Sequence, residues 1–565
     1  MKTLLVGINA KYIHTNLAIR NIAAYLNDEN IIIYEATIND RLDGILEDIM
    51  SYNADIIGFS CYLWNIEEVQ YLAENIKKIK PETQIVLGGP EVSYEAEDLL
   101  KVKPQIDYVI LGEGEERFGK LLKVFSGKMA LEELDGIAYR SDGSVIVNPP
   151  KGYVYLNRIP FSYSGEDLEH KLVYYETSRG CYFRCAFCLS SLETDVRFAD
   201  MEKVRQDFLR FAQMGVKVVK LVDRSFNCNL PRALELLEVI RELPGSTVFH
   251  CEINPELVNE DFIKALEGLE DRLQFEVGIQ STNTKTLREI SRTPDVKRAL
   301  EGIELLKTTG IKLHVDLIAG LPHEDLESFG HSFDDVYSLY PEEIQLGFLK
   351  LLKGTRLRKD AHKYGIVYRS KPPYEILYNK DISYRELCIL SGIARLLDKY
   401  YNTGRFRHSL NYLCSKFQRP FDLYLSFYTF CKKRGLFKLR HSLTTQYDIL
   451  FDFVQSLDVD KDLFGDILKF DFMLTSSKAA LPDFIKPIET KEFVNAAKEY
   501  VYNEKWLEAN LPQALGLSSR NLHNQISYGL FKYDVPHGTE RKEKGIVFLQ
   551  KEGESYYAEF PFKRA

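Results

Sequence analysis

The sequence lacks any run of about 18 consecutive apolar residues, the length that a membrane-spanning helix requires. Its first residues, MKTLLVGIN, enter an apolar strand directly, without the apolar stretch and cleavage site of a secretory signal. It also lacks a basic excess, since its net charge is -9, and this argues against a dedicated nucleic-acid binder. We therefore expect a cytoplasmic protein without a membrane span, whose substrate is a small molecule or a peptide.

The cysteines lack the pattern of a disulfide framework, because their number, nine, is odd and no secretory signal precedes them. Three of them, Cys181, Cys185 and Cys188, fall within eight residues, so metal binding is favoured over disulfides. Each of the others is expected to be a small buried hydrophobic side chain without a chemical role. These are Cys61, Cys228, Cys251, Cys388, Cys414 and Cys431.

The fold predicted from the sequence is α/β, followed by helices. With 565 residues the chain is too long for one core. Up to about residue 125, continuous apolar strands alternate with amphipathic helical patterns, which is typical of a parallel sheet covered on both faces. We predict a sheet domain over residues 1–135, a hairpin at Asp142-Gly143 with a linker over 136–165, a barrel over 166–373, and a mostly helical domain over 374–565.

The predicted barrel is partial, because six strand candidates, each separated by a helical segment, follow residue 172. Six repeats fit an incomplete parallel (β/α)6 barrel better than an eightfold one. The active site should lie at the carboxyl ends of the strands. The segments are LVYYETS, KVVKLVD, TVFHCEI, LQFEVGIQ, KLHVDLIAG and EIQLGFLKL.

The three clustered cysteines, spaced C-x3-C-x2-C in TSRGCYFRCAFC, follow the first barrel strand. A 4Fe-4S cluster accepts four ligands, so three thiolates leave one iron open for another ligand. The alternative is zinc, which would require a fourth Cys or His at similar spacing. None follows Cys188 within a dozen residues, and a cluster is therefore favoured.

Cys181, Cys185 and Cys188, with the aromatic Phe187 before the last of them, resemble the motif of the radical S-adenosylmethionine (SAM) superfamily. The resemblance implies that the open iron binds the methionine part of SAM and that its cleavage gives a 5'-deoxyadenosyl radical. It also implies a TIM-like partial barrel that aims this chemistry, and a dependence on anaerobic conditions.

Polar residues and a glycine at the ends of the later barrel strands resemble the superfamily's SAM-contacting positions. Helix capping by Asp223 or Ser281, and turn formation at Gly320, are the alternative interpretations. Arg224 is as well explained by an ion pair as by a SAM contact. The residues that the resemblance assigns to SAM are Phe187, Asp223, Glu252, Gln280, Ser281 and Gly320.

The first domain resembles the Rossmann-like cobalamin-binding domain of one class of these enzymes, in its LGGPEVS and LGEGEE segments. Four residues at the carboxyl edge of its sheet are predicted to meet the corrin ring: Ser60, Gly88, Gly89 and Gly114. The Asp-x-His-x-x-Gly motif that follows the first strand when an axial histidine is present does not occur here, because His14 has Tyr12 two residues before it and Leu17 three residues after it. A sheet that has lost its ligand and only covers the barrel is the alternative.

The resemblance implies a radical SAM enzyme, with cobalamin-dependent methyl transfer as the leading hypothesis. Ring closure or rearrangement without cobalamin is an alternative, and so is a scaffold that keeps the cluster as a structural or redox element. Methylthiolation is disfavoured, because that family adds three cluster cysteines before the barrel and this region holds only Cys61. An electron donor such as flavodoxin or ferredoxin is expected. The C-terminal domain is expected to be an extension of unknown function.

Overall fold

The computed structural model describes residues 1–163, 168–193, 195–293, 295–476, 482–485, 488–538 and 540–562. The chain forms two compact units. The first comprises Met1–Pro341 and Leu346–Leu387, and the second comprises Glu342–Gln345 and Cys388–Ala565. The four-part division at residues 135, 165 and 373 stays a prediction, and its boundary between 165 and 166 lies outside the described residues.

The N-terminal part of the first unit is a seven-stranded sheet in the order β2-β1-β3-β4-β5-β6-β7. The first five strands pair in parallel, and β6 and β7 add an antiparallel hairpin at the edge. The strands are β1 (Thr3–Asn9), β2 (Ile31–Thr37), β3 (Ile56–Ser60), β4 (Gln84–Gly88), β5 (Tyr108–Ile110), β6 (Ile137–Ser141) and β7 (Ser144–Asn148).

Six helices accompany this sheet. Their apolar residues recur at helical spacing, as in α3, which buries Ile66, Val69, Leu72, Ala73 and Ile76 on one side. Strand β1 is buried over its whole length, as expected for a parallel strand covered on both faces. The helices are α1 (Leu17–Leu26), α2 (Leu42–Ser51), α3 (Ile66–Ile79), α4 (Pro90–Ser93), α5 (Ala96–Val102) and α6 (Glu115–Phe125).

The barrel is a six-stranded sheet in the order β15-β14-β13-β12-β11-β8, which confirms the predicted partial barrel. Its pairs from β8 to β14 are parallel. The strands are β8 (Leu172–Tyr175), β11 (Val218–Leu221), β12 (Val248–Ile253), β13 (Leu273–Gln280), β14 (Lys312–Ala319) and β15 (Glu343–Phe348). A short antiparallel pair, β9 (Ser178–Arg179) with β10 (Arg197–Phe198), lies between β8 and β11 in the chain.

Alternation along the barrel strands separates an apolar face from a charged one. In β14, Leu313, Val315 and Leu317 are buried, whereas His314 and Asp316 between them are half-buried. Because the side chains of a strand alternate between its faces, the charged residues share the inner face of the barrel. The helices are α7 (Met201–Gln213), α8 (Leu230–Glu242), α9 (Glu260–Ala265), α10 (Thr284–Glu289), α11 (Val296–Lys307) and α12 (Leu326–Ser338).

The rest of the chain is mostly helical, as predicted. After the barrel come α13 (Arg356–Lys359) and the antiparallel pair β16 (Val367–Tyr368) and β17 (Ile376–Tyr378). The helices that follow are α14 (Tyr384–Leu396), α15 (Arg407–Cys414), α16 (Pro420–Lys433), α17 (Leu443–Gln455), α18 (Lys461–Ser476), α19 (Lys491–Val501), α20 (Glu504–Asn510) and α21 (Ser519–Gln525).

The chain ends in a three-stranded antiparallel sheet of β18 (Ile526–Phe531), β19 (Lys544–Lys551) and β20 (Glu554–Phe560). The sequence predicted β structure only for the region of the last two strands. Among the described residues, none of the helices combines the length and apolarity that a membrane crossing requires.

Candidate active site

The three clustered cysteines lie on one loop at the carboxyl end of β8. Cys185 is buried, and Cys181 and Cys188 are partly exposed. Backbone hydrogen bonds fix the loop: Cys181 N donates to Glu193 O at 3.1 Å and Ala186 N to Ile290 O at 2.9 Å. All three thiols are free of disulfides, so each is available as a ligand.

The three sulfur atoms are not all as close together as the ligands of one zinc ion. Zn–S bonds of about 2.3 Å at tetrahedral angles place the sulfur atoms about 3.8 Å apart. Within the described part of the chain, the one group of three ligand-type residues whose ligand atoms all lie within 4.8 Å is Asp534, His537 and Glu559. The three thiols are therefore too dispersed for a preformed zinc site, whereas a 4Fe-4S cluster takes one thiolate at each of three separate irons.

Arg292 joins the cysteine loop to the barrel, a role that sequence patterns missed. Its Nη1 lies 3.9 Å from Cys185 Sγ, and its Nη2 donates to Asn254 Oδ1 at 3.2 Å and to Gly278 O at 2.6 Å. Burial raises the pKa of the Cys185 thiol, and the Arg292 charge opposes this. A guanidinium at this place favours the thiolate, the form that binds metal.

Asp223 ends β11 and anchors the segment that leads into the loop. Its side chain is buried, and it accepts hydrogen bonds from Thr177 N at 2.8 Å, Thr177 Oγ1 at 2.5 Å and Ser178 Oγ at 2.7 Å. Burial raises the pKa of Asp223, and these donors oppose the shift. The carboxylate thus lies beside the cysteine loop, and its contact with SAM stays a prediction.

Two of the predicted SAM residues lie together at the end of β13. Gln280 has φ of +70° and follows a register shift at Gly278. A Cβ at Gly278 would lie 2.3 Å from Gln280 Nε2, so this side chain occupies the space that Gly278 leaves. Ser281 is fully buried, and its hydroxyl donates to Glu324 Oε1 at 2.6 Å.

Gly320 and Phe187 lie on different elements of the same barrel end. Gly320 has φ of +89°, and a Cβ there would come within 2.9 Å of Ile376, so both conformation and space require glycine. Phe187 is half-buried on the cysteine loop. The contacts of both residues with SAM stay predictions.

The inner face of the barrel carries a connected group of charged side chains, which includes the predicted residue Glu252. Lys220 Nζ donates to Glu276 at 2.7 Å, and His250 Nε2 lies 3.3 Å from the same carboxylate. Burial, followed by the charges of Glu276 and Glu252, raises the pKa of Asp316 to about 8. Burial also raises the pKa of Glu252. Burial and mutual repulsion on these neighbouring strands therefore favour the protonated form of Asp316 and of Glu252.

The four residues predicted to meet a corrin ring lie at the carboxyl edge of the N-terminal sheet. Gly88 leaves open space, because a Cβ there would meet only Ile110, at 3.9 Å. Gly89 packs closely against Cys61 O, and Gly114 packs closely against the side chain of Ile22. The Ser60 hydroxyl accepts a hydrogen bond from Asn16 at 2.8 Å.

Aromatic residues at this edge were not singled out from the sequence. Tyr62 and Trp64 stack with ring centroids 4.4 Å apart on the loop after β3. Trp64 is 38% exposed, so a ring face at this edge remains accessible. This aromatic pair and the open space at Gly88 lie at the same edge of the sheet.

His14 lies in the loop after β1 and is hydrogen-bonded to the barrel. Its Nδ1 is 2.8 Å from the Tyr174 hydroxyl of β8. Burial, with the positive charges of Lys11 and Lys220, lowers the pKa of His14. The hydrogen bond engages Nδ1 and ties the ring to the first barrel strand.

The LGEGEE segment contacts the cysteine loop through its carboxylates. Glu115 Oε1 accepts from Arg179 Nη2 at 2.8 Å, and Glu113 Oε1 lies 3.2 Å from Arg179 Nη1. Glu113 also accepts from Arg197 at 2.5 Å and from the linker amide of Val154 at 2.6 Å. The sequence interpretation assigned this segment to the cofactor edge alone and missed these partners.

Family models match three consecutive parts of the chain. Residues 3–122 match the B12 binding domain and residues 175–336 match the radical SAM superfamily. The chain is a radical SAM enzyme with a B12-binding domain. Residues 362–548 of this radical SAM enzyme match a protein family of unknown function. The predicted cofactors, a 4Fe-4S cluster, SAM and cobalamin, are thereby confirmed.

Curated relatives of this radical SAM enzyme include methyltransferases. An uncharacterized methyltransferase of Pyrococcus horikoshii, PH0819, is 26% identical over 56% of this chain and 73% of its own length. The cobalamin-dependent radical SAM methyltransferase TokK of Streptomyces tokunonensis is 25% identical over 54% of this chain and 47% of its own. The chain thus covers about half of TokK. Relatives named as methylthiotransferases match at 25% and 27% identity.

Among solved structures, the cobalamin-dependent SAM radical enzyme OxsB, with aqua-cobalamin and SAM bound, has the same fold. The superposition has a TM-score of 0.60 at 16% identity and covers 93% of this radical SAM enzyme and 83% of OxsB. It agrees with the predicted order of sheet domain, barrel and helical region.

We predict that Cys185→Ala loses most of the iron of the anaerobically reconstituted protein, about four atoms per chain in the wild type, because one thiolate ligand is removed. Iron analysis and the cluster absorbance measure this. Cys61→Ala is the matched control, since Cys61 is buried in the N-terminal sheet domain and should keep the iron. Full iron in Cys185→Ala would contradict the assignment of the cluster.

We predict that Asp316 makes the stability of the cofactor-free protein fall as pH rises. Its pKa of about 8 in the folded chain exceeds the ordinary 3.8, so folding takes up a proton between about pH 4 and about pH 8. This contribution is present at low pH and is lost by about pH 8. Its slope is at most about 1.4 kcal/mol per pH unit.

Asp316→Asn lacks this titration, so the wild type should lose stability relative to the variant between about pH 5 and about pH 8. Denaturant unfolding at several pH values measures the difference. Asp271→Asn, at an exposed position, is the control and should follow the wild type. Parallel curves for wild type and Asp316→Asn would refute the prediction.

Proposed function

We propose that the chain is a cobalamin-dependent radical SAM methyltransferase that acts on a small molecule or a peptide. The observation that carries the proposal is a B12-binding domain directly before a barrel with three free cysteines at its carboxyl end. The methyltransferase relatives support the reaction type. When bound, the cluster and SAM supply a 5'-deoxyadenosyl radical, and cobalamin carries a methyl group.

In this proposal the residues of the barrel end hold and orient the reactants. Cys181, Cys185 and Cys188 hold three irons of the cluster and leave the fourth open for SAM. Asp223 fixes the segment before the loop through Thr177 and Ser178. The end of β13 lies at the same barrel end, so Gln280 is the polar side chain that we assign to SAM on this strand.

The charged inner face is the proposed substrate chamber. Glu252, Glu276 and Asp316 lie on three neighbouring strands. Lys220 balances part of their charge, and His250 Nε2 lies 3.3 Å from Glu276. Such a surface orients a polar substrate by hydrogen bonds, because an apolar one would leave these groups without water or partners.

The N-terminal sheet supplies the proposed cobalamin surface. The open space at Gly88 and the exposed face of Trp64 lie at the carboxyl edge of the strands, where open α/β sheets bind ligands. His14 takes no part in our assignment, because the residues around it do not form the Asp-x-His-x-x-Gly motif. His14 should therefore not be the lower ligand of the cobalt.

Two other activities fit the domain order less well. Methylthiolation would need further cluster ligands, but the region before the barrel holds only Cys61, whose thiol is fully buried. A cyclase or rearrangement reaction without cobalamin would leave the surface at Gly88 and Trp64 without a ligand. Every version needs a reductant, for which we propose a flavodoxin or ferredoxin.

We predict that the purified full-length protein binds hydroxocobalamin in the base-off form, because the sheet edge leaves open space at Gly88 and His14 lacks the sequence motif of an axial ligand. His14→Ala should change neither the affinity nor the visible spectrum. Equilibrium dialysis and absorbance spectroscopy measure both. A lack of retention at micromolar cobalamin would favour the ligand-free sheet, and a His14-dependent spectrum would identify an axial ligand.

We also predict that reconstituted protein with dithionite and SAM releases 5'-deoxyadenosine, because three thiolates leave one iron open for SAM. Chromatography of the products measures the release. Cys185→Ala should abolish it, and Cys61→Ala should retain it. Wild-type protein with a full complement of iron but without release would favour the scaffold hypothesis.

A further inference from the structure

Arg179 is an arginine held by carboxylates of both domains of the first unit. It stands two residues before Cys181 in the chain, on β9. Its side chain is 16% exposed. A guanidinium that is buried to this extent requires anionic or hydrogen-bonding partners, because an unpaired buried charge is strongly destabilising.

The partners of Arg179 come from two distant segments. Glu176, which hydrogen-bonds to both Arg179 Nε and Nη2, belongs to the barrel. Glu113 and Glu115 follow β5 of the N-terminal sheet, more than sixty residues earlier, and both are at least nine-tenths buried. Burial alone would lower the pKa of Arg179, but Glu176 and Glu115 raise it well above its ordinary value. The guanidinium is therefore charged and is paired with carboxylates of both domains.

The two residues before Arg179 are fixed separately, on the barrel alone. Thr177 and Ser178 bind Asp223, and Arg232 Nη2 donates to Thr177 O at 3.1 Å. The hydrogen bonds to Asp223 therefore position Thr177 and Ser178 on the barrel. The guanidinium of Arg179 positions the same segment relative to the loop after β5. The residue after Arg179 is Gly180, which has φ of +100° and directly precedes Cys181.

Gly180 has little freedom to absorb a displacement of Arg179. A Cβ at this position would lie 2.4 Å from Asp195 O. The backbone just before β10 therefore packs closely against Gly180. Arg197 of β10 is itself bound to Glu113 at 2.5 Å. Both sides of the entry to the cysteine loop are consequently tied to one loop of the N-terminal domain.

We propose that Arg179 is a positioning residue through which Glu113 and Glu115 of the N-terminal domain set the geometry of the cluster loop for SAM binding. The proposal rests on the proposed function, since it assumes that Cys181 is a cluster ligand. It assigns the LGEGEE segment a second role besides its place at the cofactor edge.

The test uses reconstituted full-length protein with Arg179→Gln, Arg179→Lys and Glu115→Gln, all measured without cobalamin. Arg179→Gln and Glu115→Gln should keep about four irons, because the thiols are unchanged. We expect each to need at least tenfold more SAM for the change that SAM causes in the electron paramagnetic resonance spectrum of the reduced cluster. Release of 5'-deoxyadenosine at subsaturating SAM should fall by a similar factor, and Arg179→Lys should recover part of both.

Two controls separate positioning from general damage. Glu116→Gln changes the adjacent, more exposed carboxylate, which pairs with Lys120. Arg272→Gln removes an arginine that binds the backbone of Leu243 and Thr247 at the other end of the barrel. Both variants should respond to SAM as the wild type does.

A SAM response within twofold of wild type in both Arg179→Gln and Glu115→Gln would overturn the proposal. If Arg179→Gln loses its iron, Glu115→Gln decides, because it alters only the N-terminal domain. An unchanged response in Glu115→Gln then refutes the proposal, and a tenfold weaker response supports it. Failure of cobalamin binding would count against the proposed function alone, since none of these measurements uses cobalamin.

Discussion

The pairing of buried charges at the entry to the cysteine loop is the constraint on which the candidate site depends. Arg179 and Asp223 are both withdrawn from water, and each is stable only with its hydrogen-bond partners in place. Those partners lie in the segment that follows β8 and in the loop after β5. The cysteines themselves contribute little to this order, because their thiols form few bonds within the chain.

The sequence allowed the local parts of this site to be predicted. The sequence shows three thiols within eight residues, and it shows glycines and polar residues at the ends of predicted strands. These features can be recognised because they depend only on spacing along the chain and on strand direction. The same holds for the two parallel sheets, whose apolar runs are continuous or alternating. The barrel of six strands and the N-terminal sheet were confirmed for this reason.

The parts that could not be predicted depend on contacts between distant segments. Arg292 follows a short helix more than one hundred residues after Cys185, and no pattern in either segment points to the other. The acidic residues of LGEGEE were assigned to the edge of the sheet, where their glycines lie, but their carboxylates face Arg179 and Arg197. β18 was missed because its sequence, ISYGLF, is short and follows a polar helix.

The hydrogen bond from Val154 N to Glu113 has a consequence for domain exchange. The linker after the β6–β7 hairpin is not a free tether, because its backbone binds the same carboxylate that binds Arg197. A chimera that joined this barrel to the sheet domain of another protein would need to import Glu113, Glu115 and the linker as one block. The two domains are therefore separate in sequence but are not interchangeable modules, and recombination between relatives should succeed only at boundaries that keep this block intact.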